Sequence, residues 1–138
     1  MVVLASGSPR RHELLCKLCS DFVVEVSDAQ EVQQADSPKI LAVENAKLKA
    51  SSIAARHPEA FVIGADTIVV LDGEIFGKPD SVKGAEEMLA RLSGKRHEVI
   101  TGLEILRECG KRKGGVTLVS CPRCGRQGFD VHSFMDRW

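Results

Sequence analysis

Three short clusters in the sequence combine charge with small or rigid neighbours. Ser6-Gly7-Ser8-Pro9-Arg10-Arg11 sets small residues directly ahead of two arginines. With Ser8 as a helix N-cap and Pro9 at the first helical position, such a loop offers free backbone N–H groups at the positive end of a helix dipole. Arg10 and Arg11 would add bidentate phosphate donors. The other reading is a capped helix with solvated arginines. Gly64-Ala65-Asp66-Thr67 places a carboxylate inside an otherwise apolar run. A buried carboxylate is costly unless it is paired or metal-bound, so Asp66 reads as a Mg²⁺ ligand or as a general base toward water. The plainer alternative is a strand-end Asp in a turn. Gly77-Lys78-Pro79 holds a lysine in a rigid frame suited to a phosphate, although a surface turn has the same sequence. Glu31, in a polar stretch, is a candidate second metal carboxylate or simply a solvated loop acid.

The elements that must position these clusters alternate between strands and helices. Val2–Ala5 reads as a buried strand, followed by a helix to about Cys19 with Leu14, Leu15 and Leu18 on one face. Phe22–Val26 is a second strand, and Ser27–Asp36 a polar loop. Ser37-Pro38 repeats the cap-plus-proline start of a helix that carries Ile40, Leu41, Val43, Ala46, Leu48 and Ala50 and ends near Arg56. Phe61–Ala65 and Thr67–Leu71 form a hydrophobic strand, Asp72-Gly73 signals a hairpin, and Glu74–Phe76 returns. Ser81 caps a third helix with Ala85, Met88, Leu89 and Leu92 facing inward, and Gly94 stops it. Glu98–Thr101 is a further strand. The alternation predicts an α/β fold, a mixed twisted sheet flanked by helices. Strand ends in such sheets are where ligands bind, and all three clusters fall there.

Composition narrows the function classes. The 138 residues are 43% hydrophobic and 28% charged, an ordinary globular balance. No apolar run nears the length of a membrane span, and the first residues make a poor signal peptide, so a cytoplasmic location is expected. Basic and acidic residues number 19 each, which gives no field for nucleic acid. The charge is uneven, with 12 Lys/Arg against 15 Asp/Glu up to residue 101 and 7 against 4 beyond it. Five cysteines, an odd number, argue against a disulfide framework. Cys16 and Cys19 have CxxC spacing in an apolar helical pattern and are expected to be buried free thiols. The histidines form no Ser-His-Asp or Cys-His constellation.

Leu4-Ala5-Ser6-Gly7-Ser8-Pro9-Arg10-Arg11-His12-Glu13-Leu14-Leu15 resembles the opening of the Maf family of nucleoside triphosphate pyrophosphatases. The resemblance continues through Val62–Val69, Asp72-Gly73-Glu74, Gly77-Lys78-Pro79, Leu92-Ser93-Gly94 and Val99–Gly102, covering about residues 1–102. It implies a Maf/ITPase-like fold and a Mg²⁺- or Mn²⁺-dependent hydrolase that splits a nucleotide between its α- and β-phosphates. By this resemblance Asp66 is the catalytic acidic residue and, with Glu31, a metal ligand. Ser6, Ser8, Arg10, Arg11, Thr67 and Lys78 bind substrate, and Arg10 and Thr67 match the subgroup that prefers dTTP and UTP.

Beyond about Gly102 the sequence takes a different character. Residues 103–138 are expected to form a short irregular tail, and Gly114–Arg126 resembles part of the iron–sulfur domain of hydroxymethylbutenyl diphosphate synthase. Cys121-Pro122-Arg123-Cys124-Gly125 is then a possible metal turn, with Cys121 and Cys124 as two of its ligands. The chain reads as a pyrophosphatase domain over residues 1–102, truncated, joined to that fragment. Two alternatives follow, a catalytically impaired nucleotide binder and a metal-binding module acting through the tail. An under-covered sheet would expose apolar surface and favour a homodimer.

Overall fold

The computed structural model describes residues 1–107 and 115–119. In chain order these form β1 (Val2–Ala5), α1 (Pro9–Cys16), β2 (Val23–Val24), α2 (Pro38–Ala54), β3 (Phe61–Leu71), β4 (Glu74–Phe76), α3 (Val82–Leu92), β5 (Glu98–Arg107) and β6 (Gly115–Val119). The sheet runs β2-β1-β3-β5-β6, with β4 also on β3. β1 pairs in parallel with β2 and β3, whereas β3–β4, β3–β5 and β5–β6 are antiparallel. The mixed α/β sheet expected from the alternation is therefore present. Two pieces of the segment expected to be irregular are strand instead: residues 103–107 extend β5, and Gly115–Val119 closes one side of the sheet as β6. Cys109, Cys121 and Cys124 lie outside the described residues.

The hairpin forms where Asp72-Gly73 predicts it. Both residues take positive φ, 50° and 80°, the pairing that a tight two-residue turn between twisted strands requires. Ser37 and Ser81 cap α2 and α3 by accepting from the backbone N–H groups of Ile40 and Gly84. Ser8 precedes Pro9 at the start of α1 as expected, but its hydroxyl makes no capping bond.

One helix carries the core. α2 lies across β1, β3 and β5, burying Leu41, Ala42, Asn45, Ala46, Ala50, Ile53 and Ala54. Val3, Ala5, Ala60 and Val62 complete one cluster with Ala50 and Ile53, and Ile68, Val70 and Ile100 complete another with Leu41 and Ala42. The close approach depends on glycine. A Cβ on Gly64 would stand 2.3 Å from the Ala46 carbonyl oxygen, and one on Gly102 would stand 2.3 Å from the Ala42 carbonyl. Small residues on α2 thus face glycines on two adjacent strands, and the helix backbone rests almost on the sheet.

The other two helices differ from expectation. Neither α1 nor α3 buries a residue: Leu14, on the apolar face of α1, is exposed, and Leu89 of α3 is exposed rather than inward-facing. Periodicity alone identified their apolar stripes, but a stripe is buried only where another element covers it. α3 is tied instead by Arg91, which pairs with Glu74 and lies 4.6 Å over the Phe76 ring. β2 is shorter than the Phe22–Val26 run, because only Val23 and Val24 find ladder partners in β1. Cys16 and Cys19 are free, but exposed and half-exposed rather than buried. Among the described residues, no helix is long and apolar enough to cross a membrane.

The tight α2 contact predicts a specific sensitivity. Gly102→Ala should destabilise the chain by about 2 kcal/mol or more, because the methyl meets helix backbone that cannot move aside. Gly77→Ala, with nothing within 4 Å of the added Cβ, should stay within about 0.5 kcal/mol of the parent. Urea unfolding of the two variants measures both.

Candidate functional site

The site arises from the way one edge of β3 is shared. β5 occupies one edge of β3 along Phe61–Val70. A strand has only two edges, so β1 and β4 must share the other. β1 takes Phe61–Gly64 and β4 takes Val69–Leu71. Between them, residues 65–68 have no strand neighbour on that side. Asp66 and Thr67 sit in this gap. The chain leaves β1 at Ala5 straight into Ser6–Arg11, and it leaves β4 at Phe76 straight into Gly77-Lys78. Topology therefore delivers all three charged clusters to the same break in the sheet.

Arg11 occupies the gap. Its Nη1 donates to the Ala65 carbonyl at 2.9 Å, the acceptor that a longer β1 would have satisfied, and to Ser6 Oγ at 2.9 Å. Its Nη2 donates to Thr67 Oγ1 at 3.0 Å, and Thr67 is in turn 2.9 Å from Thr101 Oγ1 on β5. Burial pulls the Arg11 guanidinium below its ordinary value, while Asp66 and Glu31 pull it the other way. Arg10, the next residue on the helix, turns outward. It is exposed, and its side chain makes no hydrogen bond among the described residues. Ser6, Gly7, Ser8, His12, Glu13 and Val24 border an open cavity of about 310 Å³ beside the start of α1.

Asp66 points to the α2 side of β3 and is 7% exposed. Its counter-charge is Lys49, whose Nζ lies 2.7 Å from Asp66 Oδ1 and 2.7 Å from Glu31 Oε1. The two carboxylates singled out in the sequence are thus brought together, joined by a lysine that was not. The hydrogen bond from Lys49 holds the Glu31 carboxyl below the usual carboxylate range, with smaller help from the charges of Lys49, Lys78 and Arg11. Lys78 is exposed and bonds to neither carboxylate, yet its charge reaches Glu31.

Glu31 stays in place because its loop is tethered to α2. Asn45 accepts from the Val32 N–H at 2.7 Å and donates to the Val32 carbonyl at 3.0 Å. Ser52 meets Ser27 at 2.6 Å, and Arg56 pairs with Glu25 and Asp28. Asn45, Lys49 and Ser52 on α2, with Arg56 just beyond its end, are spaced 4, 3 and 4 residues apart, the spacing of one helical face. That spacing is visible in the sequence and would have found Lys49, had the helix been read for its polar stripe as well as its apolar one.

The donor set is two carboxylates flanked by a lysine, an arginine and a hydroxyl pair. Two carboxylates are a donor set of the kind that suits Mg²⁺ or Mn²⁺, which commonly take only one or two protein ligands, and here Lys49 Nζ stands between them. Among the described residues, no group of three or more potential ligand side chains converges.

The chain is thus an α/β domain whose sheet has a break that holds Arg11 beside a buried acid, Asp66. The model of the family described as Maf-like protein matches residues 1–123, and the chain belongs to that family. It is 50% identical over 107 residues to a dTTP/UTP pyrophosphatase of Symbiobacterium thermophilum, covering 77% of this chain and 55% of that protein. It is 49% identical over 116 residues to a dTTP/UTP pyrophosphatase of Pyrococcus abyssi, covering 84% and 61%. The chain thus spans little more than half the length of these curated relatives. The structure of the Staphylococcus aureus Ham1 protein shares the fold, with a TM-score of 0.58 at 20% identity over 93% of this chain and 76% of that one.

Removing the bridging lysine tests the electrostatics. Lys49→Met keeps the stem but leaves Asp66 buried beside Glu31 with no shared cation, and should cost about 1–3 kcal/mol. The pH dependence should change as well. A carboxyl whose folded-state value is depressed stabilises the fold above its ordinary value, about 4.5 for Glu31, and loses that contribution as pH falls through the folded value. Thermal melts of the parent should therefore lose stability below about 4.5. The part of that loss due to Glu31 should vanish in Lys49→Met.

Proposed function

We propose that this domain hydrolyses pyrimidine nucleoside triphosphates, dTTP and UTP, to the monophosphate and pyrophosphate. The observation that carries this reading is the pairing of Asp66 with Lys49 and Glu31 in the same gap that holds Arg11 and Thr67. The names of relatives at 42–50% identity support the substrate class.

The residues divide the work by charge. Arg11, Lys78 and the backbone N–H groups of Ser6–Ser8 neutralise the phosphates, and Arg10 and Ser8 add contacts from the exposed start of α1. Thr67 holds the guanidinium of Arg11 in the plane that meets them. Lys49 engages Oδ1 of Asp66, which leaves Oδ2 to take a proton from the attacking water. The water oxygen bonds to the α-phosphorus, the α–β bridging P–O bond breaks, and pyrophosphate departs with the electron pair. Asp66 and Glu31 would hold Mg²⁺ or Mn²⁺, which supplies charge neutralisation on the phosphate oxygens. A triphosphate substrate and free thiols fit the cytoplasm. The exposed Leu14, Leu18, Val23, Val24 and Val26 favour self-association as a homodimer, and the balanced charge gives no reason to expect nucleic acid.

Pyrophosphate release from a nucleotide panel with Mg²⁺ tests the reading. dTTP and UTP should exceed the purine nucleotides. Asp66→Asn should lose about 10²-fold or more in kcat while retaining nucleotide affinity, since the amide is a poor base. Lys78→Ala should chiefly raise KM. A fully active Asp66→Asn variant would remove Asp66 from the mechanism.

A further inference from the structure

We propose that Cys16 and Cys19 form a thiol–disulfide pair, with Cys16 the attacking thiol, Cys19 the resolving thiol, and His12 the base that activates Cys16. The CxxC spacing takes no part in the phosphate site, and three observations single it out. Cys16 is exposed, so an oxidant can reach it. Its Sγ lies 3.7 Å from His12 Nδ1, one helical turn earlier, within reach of thiol-to-imidazole proton transfer. The chain also tightens after Cys16. Leu18 and Cys19 both donate to the Leu15 carbonyl, at 2.9 and 2.8 Å, so the last turn is partly of the three-residue kind. Residues three apart in such a helical turn lie on the same face, which puts Cys16 and Cys19 on one side of the chain.

Cys16 is the last residue of α1, and His12, one turn earlier on the same helix, is the group placed to take its proton. The imidazole is also held from its other side, since the Phe22 ring packs against it at 5.2 Å between centroids. Cys19 is better covered, and its thiol donates to the Asp21 carbonyl at 3.3 Å.

With a hydroperoxide as oxidant the steps balance. His12 accepts the Cys16 proton, and the thiolate attacks one peroxide oxygen. The O–O bond breaks, leaving a sulfenic acid on Cys16 and a hydroxide that takes the proton back from His12 as water. Cys19 sulfur then attacks the Cys16 sulfur, the S–O bond breaks, and a second water departs with the thiol proton. Two thiols lose two electrons, and one hydrogen peroxide becomes two waters.

Peptide mapping on the full chain tests the pair directly, because trypsin cuts after Lys17, between the two cysteines. After brief treatment with hydrogen peroxide, peptide 12–17 should be joined to peptide 18–39 at a mass about 2 Da below their sum. In Cys19→Ser, Cys16 should instead be trapped as a sulfenic acid that dimedone labels. With iodoacetamide, Cys16 should react on the order of tenfold faster than Cys19. His12→Ala, with unchanged circular dichroism, should slow Cys16 alkylation several-fold near neutral pH and shift its pH profile upward, whereas His12→Gln should not restore it. Peptides 12–17 and 18–39 remaining separate while other cysteines oxidise would overturn the pair. An unaltered Cys16 pH profile in His12→Ala would overturn the role of the imidazole.

Discussion

A buried carboxylate in an apolar strand is the constraint around which this molecule is arranged. Asp66 follows Val62, Ile63 and Ala65 and precedes Ile68 on β3, and it is almost wholly removed from water. Left alone, such a charge would cost several kcal/mol or more. Lys49 offsets that cost, but only if α2 lies close enough for a lysine stem to span the gap. The glycines at 64 and 102 permit that approach by letting the backbone of α2 meet β3 and β5 almost without intervening side chains. Packing and electrostatics are thus the same problem here. A bulkier residue at either glycine would lift the helix, and with it the ammonium group that compensates Asp66.

The second requirement is a break in the sheet. Residues 65–68 would ordinarily seek a strand on each edge, because unsatisfied backbone groups are expensive. β1 stops one residue too early and β4 starts too late, so the Ala65 carbonyl takes a guanidinium instead of an amide. The substitution of a charged side chain for a ladder bond is what converts a structural edge into a place where phosphate can be met by cations. Loop 25–36 belongs to the same construction. It is held by side chains of α2 and of Arg56 just after it rather than by strand pairing, and it brings Glu31 to the far side of Lys49.

Much of this was legible in the sequence, for identifiable reasons. Strand β3, the Glu98–Thr101 part of β5, the Asp72-Gly73 hairpin and the caps at Ser37 and Ser81 rest on local signals that tertiary structure had no reason to override. Asp66 stood out as a charge where none was expected, and Arg11, Thr67, Glu31 and Lys78 came from turn chemistry and from the family resemblance. Lys49 did not, because a lysine on a long helix looks like a solvated residue until the strand beneath it is known to carry an acid. The inward face assigned to α3 failed for the complementary reason, and the apolar face of α1 is likewise uncovered. An apolar stripe shows which side of a helix prefers burial, not whether any element of the fold covers that side. The two adjacent arginines illustrate the same limit, since local sequence treats Arg10 and Arg11 alike and only the rotation of about 100° per helical residue sends one inward and leaves the other in solvent.

Arg11 carries two obligations at once. α1 buries none of its residues, so the helix is held to the sheet less by packing than by the three bonds that Arg11 makes to Ser6, Ala65 and Thr67. A guanidinium has five N–H donors, which leaves two for a ligand. An anion entering the gap need not break the anchoring bonds. It can take the remaining donors and add its own charge to those of Asp66 and Glu31 in stabilising the cation against burial. The same side chain therefore ties the helix down and presents charge, and the two roles reinforce each other. Holding α1 in place keeps the Ser6–Ser8 backbone and the helix N-terminus aimed at the gap, and a phosphate bound there would strengthen the attachment that positions it.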